Sequence, residues 1–553
     1  MIRGPPAIAA RISPTNLGFL LNARQVACEF GYLTLPEFAE QTLRTLATVS
    51  GLEKYRGHLF NWYDTRTLQP LAPLFVSSVD SGNLMASLWT LQQGCRERLG
   101  KPLLQFSLFE GFVDCVRVLE DRGLFSLKQL GPYNAEEATD RWLEWLINVP
   151  SAAFDHICHI ASACEDHATT QWFAEQAISR IEVVRQTVNS YVPWCSPEFE
   201  TLKNEPTLSL IPVDRISLEL LPEFIDQFED ELTRVTPSLS SEKQHLCERL
   251  RTKLPEARRN VSRLIKDLRI MGTEAGRLSD EMDFAFLLNR RRKLMSVGFD
   301  AGSRQLHPAC YDLLGTESRT AVFVGVAKGD IPQESWFLLG RAHTLDHGRP
   351  VMLSWTGTLF EYLMPSLWMR SYPRTLLERS RVAAVRSQQA YAASKGVPWG
   401  ISESAHAQLD EAGNYQYHAF GLPHLAQQKP QVKSLVIAPY STFLALVTDP
   451  SEAVRNLRKM SEMGWLGKYG FYEAADYGAT RYHFWQHSYE LVRCWMAHHQ
   501  GMSLLALGNF LKGNVVQQWF HSDPRVQATE LLLQEKPVAH VRRRDLSRKV
   551  AAA

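Results

Sequence analysis

Four glutamates stand beside aromatic residues or in glycine-bearing turns: Glu317 in Tyr311-Asp-Leu-Leu-Gly-Thr-Glu317-Ser-Arg319, Glu361 in Trp355-Thr-Gly-Thr-Leu-Phe-Glu361-Tyr362, Glu403 in Val-Pro-Trp399-Gly-Ile-Ser-Glu403-Ser-Ala, and Glu473 in Gly470-Phe-Tyr472-Glu473-Ala. An unpaired charge in apolar surroundings is costly, so such carboxylates are functional or tightly paired. Two carboxyl groups are what glycosidic bond cleavage commonly needs, one to protonate the leaving oxygen and one to act as nucleophile or base. Glu403 follows Trp399-Gly-Ile-Ser in an expected loop, which suits an acid whose pKa rises on partial burial. Arg319 could keep Glu317 ionised, or could equally make a structural ion pair with it. Glu361 could bind hydroxyls or support another carboxylate. The 14 tryptophans and 17 tyrosines include rings able to stack on sugars, although most aromatic residues serve a core.

These residues must be held by helices. The Leu35-Pro-Glu start signal and the Phe38, Leu43, Leu46, Val49 stripe predict helix over 15–50. Leu84, Leu88, Leu91 and Cys95 give the next helix a buried face. Asp80, just before it, serves equally well as a cap or a substrate contact, while Asp64 reads as structural. Helices continue over 105–190. Four prolines between Pro193 and Pro212 mark a break, and a charged helical stretch runs from Leu218 to Arg292. The interleaved acidic and basic residues there read as a solvated face. Thr320–Val326 is a buried helix or strand, Lys293–Asp300 and Pro350–Trp355 are extended candidates, and 373–395 and 452–463 are helices. Glu403, Tyr415 and Tyr440 are each expected to precede a more helical stretch, and the last helix carries Leu504, Leu507 and Leu511. The pattern predicts a mostly α-helical toroid with a cleft at one end. Residues 1–553 read as one domain, with 193–292 a helical elaboration within it.

Composition excludes several alternatives. Sixty Lys+Arg against 59 Asp+Glu leave a net charge of +1, too little for a global field that attracts nucleic acid or an anionic membrane. Nine cysteines without a CxxC pair point to free thiols in a reducing, cytoplasmic setting. The N-terminus lacks a secretory core, and no stretch approaches the ~20 apolar residues of a membrane span. Nucleotide-cradling glycine motifs and a nucleophile elbow are missing. His156, Cys158, His159, Cys164 and His167 match no standard zinc spacing, so neither metal nor cofactor is expected. Adjacent helical residues diverge by about 100°, so of His498 and His499 one is expected to face substrate and one the core.

Several motifs together resemble the cyclisation domain of bacterial cyclic β-1,2-glucan synthases: Asn61-Trp-Tyr-Asp-Thr-Arg, Ser77-Ser-Val-Asp-Ser-Gly-Asn, Tyr311-Asp-Leu-Leu, Leu353-Ser-Trp, Phe360-Glu-Tyr-Leu-Met-Pro, Trp399-Gly-Ile-Ser-Glu-Ser-Ala, Gly470-Phe-Tyr-Glu-Ala and Ala497-His-His-Gln-Gly-Met-Ser. The resemblance covers nearly the whole chain and is least distinctive over about 150–280. It implies an (α/α)6 toroid related to endo-β-1,2-glucanases, and intramolecular transglycosylation of linear β-1,2-glucan (sophoro-oligosaccharides) with retention. By motif, Glu403 matches the general acid and Glu317 the second catalytic carboxylate. The family usually reads Ala-Ser-Glu-Ala-Arg where this chain has Gly315-Thr-Glu317-Ser-Arg319, so carboxylate and arginine persist. Trp62, Trp355, Trp399, Tyr415 and Tyr472 are the implied stacking residues. Asp80, Glu361 and Glu473 are the implied hydroxyl ligands, with Tyr362, His498 and Gln500 beside them. The chain is expected to be the cytoplasmic domain of a larger membrane-associated synthase or a stand-alone relative. A stand-alone relative could be a hydrolytic endo-β-1,2-glucanase, and a non-catalytic glucan-binding module is the remote alternative.

Overall fold

The computed structural model describes residues 8–131, 135–163, 168–203, 205–208, 213–411, 413–428, 435–478 and 489–536. It is mostly α-helical, an (α/α)6 arrangement with short strands in the connections. Six inner helices follow one another around a ring: α1 (Pro14–Glu29), α2 (Ser78–Leu99), α3 (Arg319–Lys328), α4 (Leu359–Leu363), α5 (Pro439–Leu444) and α6 (Ala497–Leu511). The helix α1 packs on α2, α2 on α3, α4 on α5, α5 on α6, and α6 back on α1. Between α3 and α4 the link is Arg319, whose guanidinium donates to the carbonyls of Glu361 (2.8 Å) and Tyr362 (2.7 Å).

The outer layer is supplied by the helices Leu35–Gly51, Ser241–Glu281, Glu334–Phe337, Leu376–Lys395, Pro450–Glu462 and Val515–His521. Each packs on the inner helix that precedes it in the chain. The inner helices α1, α2 and α3 show little amphipathic bias, because a helix surrounded by others is buried on most sides. The outer Leu35–Gly51 helix opens with a full capping box, Thr34 and Glu37.

Sequence pattern and structure differ in three places. The helices between Ser107 and Tyr191 pack largely on one another, whereas Leu221–Val235 packs on Ser241–Glu281, which lies along α2 as an outer helix. Within the stretch 193–292, Ser241–Glu281 is thus part of the outer layer, and its charged sequence carries a buried apolar stripe from Leu250 to Leu278. Glu403 is followed by strand β1 (Ser404–Leu409), paired antiparallel with β2 (Tyr415–His418), and not by a helix. Beside it, β3 (Val436–Ile437), β4 (Ala474–Asp476) and β5 (Glu490–Val492) form a three-stranded antiparallel sheet. These segments are too short for a 3.6-residue stripe to oppose pairing. Finally, the helix bearing Leu504, Leu507 and Leu511 is followed by two short ones, Val515–His521 and Pro524–Thr529.

Among the described residues no helix is long and apolar enough to cross a membrane. The described cysteines are free.

The ring is tight where α2 meets α3. A Cβ on Gly82 would stand 2.5 Å from the Cα of Ala321, a distance only backbone movement could relieve. Gly82→Ala is therefore expected to cost about 1–3 kcal/mol by overpacking. Urea denaturation checks this, and an unchanged midpoint would mean that the two helices part freely.

Candidate active site

The N-terminal ends of the inner helices face one region, and helix caps fix several of them. Ser77 caps α2 by accepting from the Asp80 amide (3.2 Å). Asp80 itself is therefore not the cap; its carboxylate accepts from Thr15, on the first turn of α1 (2.6 Å). Thr358 and Glu361 form a capping box on α4. Glu317 lies two residues before α3, Tyr440 is the second residue of α5, and His498 and His499 are in the first turn of α6.

Glu403 sits in a loop clamped by amides from two outer helices. Gln388 donates to the Ile401 carbonyl and accepts from its amide (2.9 and 3.0 Å). Asn456 does the same for Trp399 (2.7 and 3.2 Å). Gly400 between them has φ +132, and a Cβ there would meet Ser441 Oγ at 2.9 Å, so only glycine fits. The Tyr440 hydroxyl donates to the Glu403 carbonyl (2.9 Å) and contacts Ser402 Oγ (2.9 Å), which accepts from the Phe360 amide of α4 (3.0 Å).

Arg319 does not form the ion pair considered for Glu317. Its guanidinium is spent on the carbonyls of Thr316, Glu361 and Tyr362, and its charge is too committed and too buried to hold Glu317 ionised. Burial, with the neighbouring charges of Glu361 and Glu403, pushes the Glu317 carboxyl up to about 8. Burial likewise raises Glu403 to about 7, against the opposing hydrogen bond from Tyr417. Glu317 and Glu403 are each half-buried, and two repelling carboxyls of this kind hold one proton between them near neutral pH.

Three expected sugar ligands are otherwise engaged. The Glu361 carboxylate accepts from the hydroxyls of Ser354, Thr356 and Thr358 and from the amides of Trp355, Thr356 and Thr358. It holds the 354–358 turn, with no acceptor capacity to spare for a sugar. Glu473, fully buried, accepts from His499 Nδ1 at 3.0 Å on both oxygens and from the Ala405 amide at 3.2 Å. Tyr362 is only 3% exposed, and its hydroxyl donates to the Met352 carbonyl (2.6 Å). All three are core positions because polar groups buried among aromatics must find partners within the chain. Trp399, at 7% exposure, is chiefly a wall.

Trp355 is half-buried, and its indole N–H has no partner among the described residues. Tyr472 packs against Trp495 (4.9 Å) with Arg493 above its ring. Tyr415 is half-buried opposite Leu409, and Gln500 donates to the Phe471 carbonyl (3.0 Å). Trp62 carries the Arg11 guanidinium on its face (4.8 Å); no described contact joins it to the carboxyl cluster.

His499 is buried and His498 half-buried, and burial lowers both to about 3, leaving them neutral. Sequence reasoning missed the tyrosines that meet the carboxyls. Tyr417 donates to Glu403 Oε1 (2.8 Å), Tyr440 stacks on His499 (3.7 Å, 7°), and Tyr311 feels the charges of Glu317, Asp80 and Glu403. Tyr417 shares its motif with Tyr415, but only the strand register directs it to Glu403. Among the described residues no three His, Cys, Asp or Glu side chains cluster to hold a metal. Cys164 and His167 lie outside the described residues.

Paired, desolvated carboxyls at one end of an (α/α)6 fold define a glycoside-hydrolase-type enzyme. Residues 316–524 match the family Glycoamylase, described as "Putative glucoamylase". The sequence is 33% identical over 533 residues, 96% of this chain, to the cyclic beta-(1,2)-glucan synthase NdvB of Rhizobium meliloti (strain 1021). The chain spans 17% of that relative's length. The endo-beta-1,2-glucanase of Chitinophaga pinensis, solved with sophorotriose and glucose, superposes with a TM-score of 0.53 at 12% identity, covering 95% of this chain and 88% of that one. That of Talaromyces funiculosus, solved as a mutant with beta-1,2-glucan, gives 0.51 at 11% identity over 95% and 80%. Residues 316–524 are thus similar to the glycoamylase family, and nearly the whole chain is similar to a part of one cyclic β-1,2-glucan synthase.

The raised carboxyls have a consequence for stability. With Glu317 near 8 in the folded protein and about 4.3 when unfolded, the native state binds more protons throughout that window. Stability therefore falls as pH rises through it. Glu317→Gln is expected to unfold at a higher temperature than wild type above about pH 8 and at the same temperature near pH 4. Melting curves across pH test this; a pH-independent difference would contradict it.

Proposed function

We propose that this chain is a transglycosylase on linear β-1,2-glucan that cleaves an internal linkage and closes the chain into a ring with retention. The observation that carries the reading is the Glu317–Glu403 pair, in which burial and neighbouring carboxylates leave about one proton shared between the two near neutral pH. The 33% identity to a cyclic β-1,2-glucan synthase supports the substrate class.

Glu317 holds the pair's proton more tightly than Glu403, about 8 against about 7, so the productive form is the pair's minor arrangement, with the proton on Glu403 and Glu317 ionised. From it Glu403 gives its proton to the O2 leaving oxygen as the C1–O2 bond breaks, and Glu317 bonds C1. The 2-hydroxyl at the chain's own non-reducing end then attacks C1, displaces Glu317 and returns its proton to Glu403. Atoms balance, no water is consumed, and two inversions give retention. Trp355 and Tyr472 are the aromatic surfaces for pyranose rings, and Asp80 and His498 border the site as sugar contacts. Glu361, Tyr362 and Glu473 shape the site from behind. The whole would act as a cytoplasmic domain of a longer membrane-associated synthase.

The second reading, a hydrolytic endo-β-1,2-glucanase, is favoured by the glucanase structures that share the fold. Incubation with linear β-1,2-glucan separates the two. Products one water lighter than linear chains, with constant reducing ends, are expected; rising reducing ends with shorter linear chains would establish hydrolysis. Glu403→Gln and Glu317→Gln are each expected to lower kcat by about 10²–10⁴-fold. Full activity in either variant would remove that residue from the chemistry.

A further inference from the structure

The mechanism above asks Glu403 to be an acid in one step and a base in the next. A carboxyl needs a hydrogen-bond acceptor in the first state and a donor in the second. One side chain is placed to be both. The Tyr417 hydroxyl lies 2.8 Å from Glu403 Oε1 and 3.3 Å from His499 Nε2, and a hydroxyl proton turns about its C–O bond to suit either partner.

His499 is held so that Nε2 can receive that proton's hydrogen bond. Its Nδ1 is equidistant, 3.0 Å, from both oxygens of Glu473, the geometry of an N–H shared by a carboxylate, and this leaves Nε2 with a lone pair. Its ring is fixed face to face on Tyr440, whose own hydroxyl is bonded to the Glu403 carbonyl. The four residues therefore form a closed circuit that returns to Glu403 through both its backbone and its side chain.

We propose that Tyr417 and His499 are positioning residues that serve both protonation states of Glu403 by a turn of one hydroxyl. When Glu403 is protonated, it donates to the Tyr417 oxygen and Tyr417 donates to His499 Nε2. When Glu403 is ionised, the Tyr417 O–H swings back and donates to the carboxylate. No proton leaves the tyrosine and no bond to carbon changes. The inference rests on the acid/base role given to Glu403. The charged and titratable groups facing Glu403 from elsewhere are Glu317 and Tyr311 before α3, Glu361 on α4, Tyr440 on α5, and Glu473 with His498 beside α6. Among the described residues the Glu403 carboxyl is hydrogen-bonded by Tyr417 and by none of these groups, and with His499 Nε2 on its other side the direction of that bond can reverse.

Two variants should move the alkaline limb of the kcat/KM profile in opposite directions. Tyr417→Phe removes a donor that favours the carboxylate, so Glu403 keeps its proton longer and the limb moves up by about one pH unit. His499→Phe keeps a ring against Tyr440 but leaves the tyrosine hydroxyl no other acceptor, so it stays on Glu403 and the limb moves down. In the double variant the downward shift disappears, because the hydroxyl that caused it is gone. A purely structural role would move both limbs alike or neither, and either result overturns the proposal.

The same shifts are readable without turnover from carbon-13 titration of the Glu403 carboxyl, assigned by its loss in Glu403→Gln. An enzyme inert on the glucan would sink the functional reading while the titration still decides this one. Should His499→Phe fail to fold, nitrogen-15 spectra of wild-type histidines decide instead. A protonated Nδ1 and bare Nε2 on His499 are expected, and an Nε2–H tautomer overturns the circuit.

Discussion

Crowding of carboxyl groups where water is scarce is the constraint on which the rest of this structure depends. Glu317, Glu361, Glu403 and Glu473 come together at the N-terminal ends of the inner helices, and burial is the first cause of each one's raised proton affinity. Four ionised groups could not persist there. The protein distributes the problem. Glu361 receives six donors from the 354–358 turn, Glu473 receives a histidine and a backbone amide, and the remaining pair is left with a single proton's worth of imbalance.

Holding that imbalance requires backbone that cannot relax. The clamps come from residues remote from the cleft: Gln388 and Asn456 on outer helices grip the Glu403 loop, and Arg319 ties the start of α3 to α4. Each replaces a missing secondary-structure partner with side-chain donors and acceptors, so the loop backbone is satisfied without becoming helix or strand. The inner helices' caps belong to the same system, since Ser77 and Thr358 fix where Asp80 and Glu361 stand. Stability and site geometry are thus maintained by the same contacts.

The polar wall behind Glu403 completes the picture. Neutral His498 and His499 add no positive charge that would discharge the carboxyls, yet His499 links Tyr417 to Glu473. An arginine or lysine there would have pulled the pair's pKa values down and ended their ability to hold a proton near neutrality. Arg319, its guanidinium bonded to three carbonyls, lowers Glu317 by less than burial and the neighbouring carboxylates raise it.

Much of this protein was legible from its residues. The helical stripes at 35–49 and 84–95 and the glutamates beside aromatics are local patterns, and local patterns report helices and desolvated acids because a few residues carry the whole signal. The motifs likewise pointed to β-1,2-glucan chemistry. What sequence could not assign was which side each polar group faces. Glu361 and Glu317 look alike in the chain, yet one is saturated by its own turn and the other is left nearly bare; Tyr415 and Tyr417 are two residues apart, yet only Tyr417 reaches Glu403. Sequence determined most of the helices and the acids at their ends. Tertiary structure alone decided which acids are paired, because hydrogen-bond partners as much as 82 residues apart are chosen by packing, and packing is not written in any one stretch.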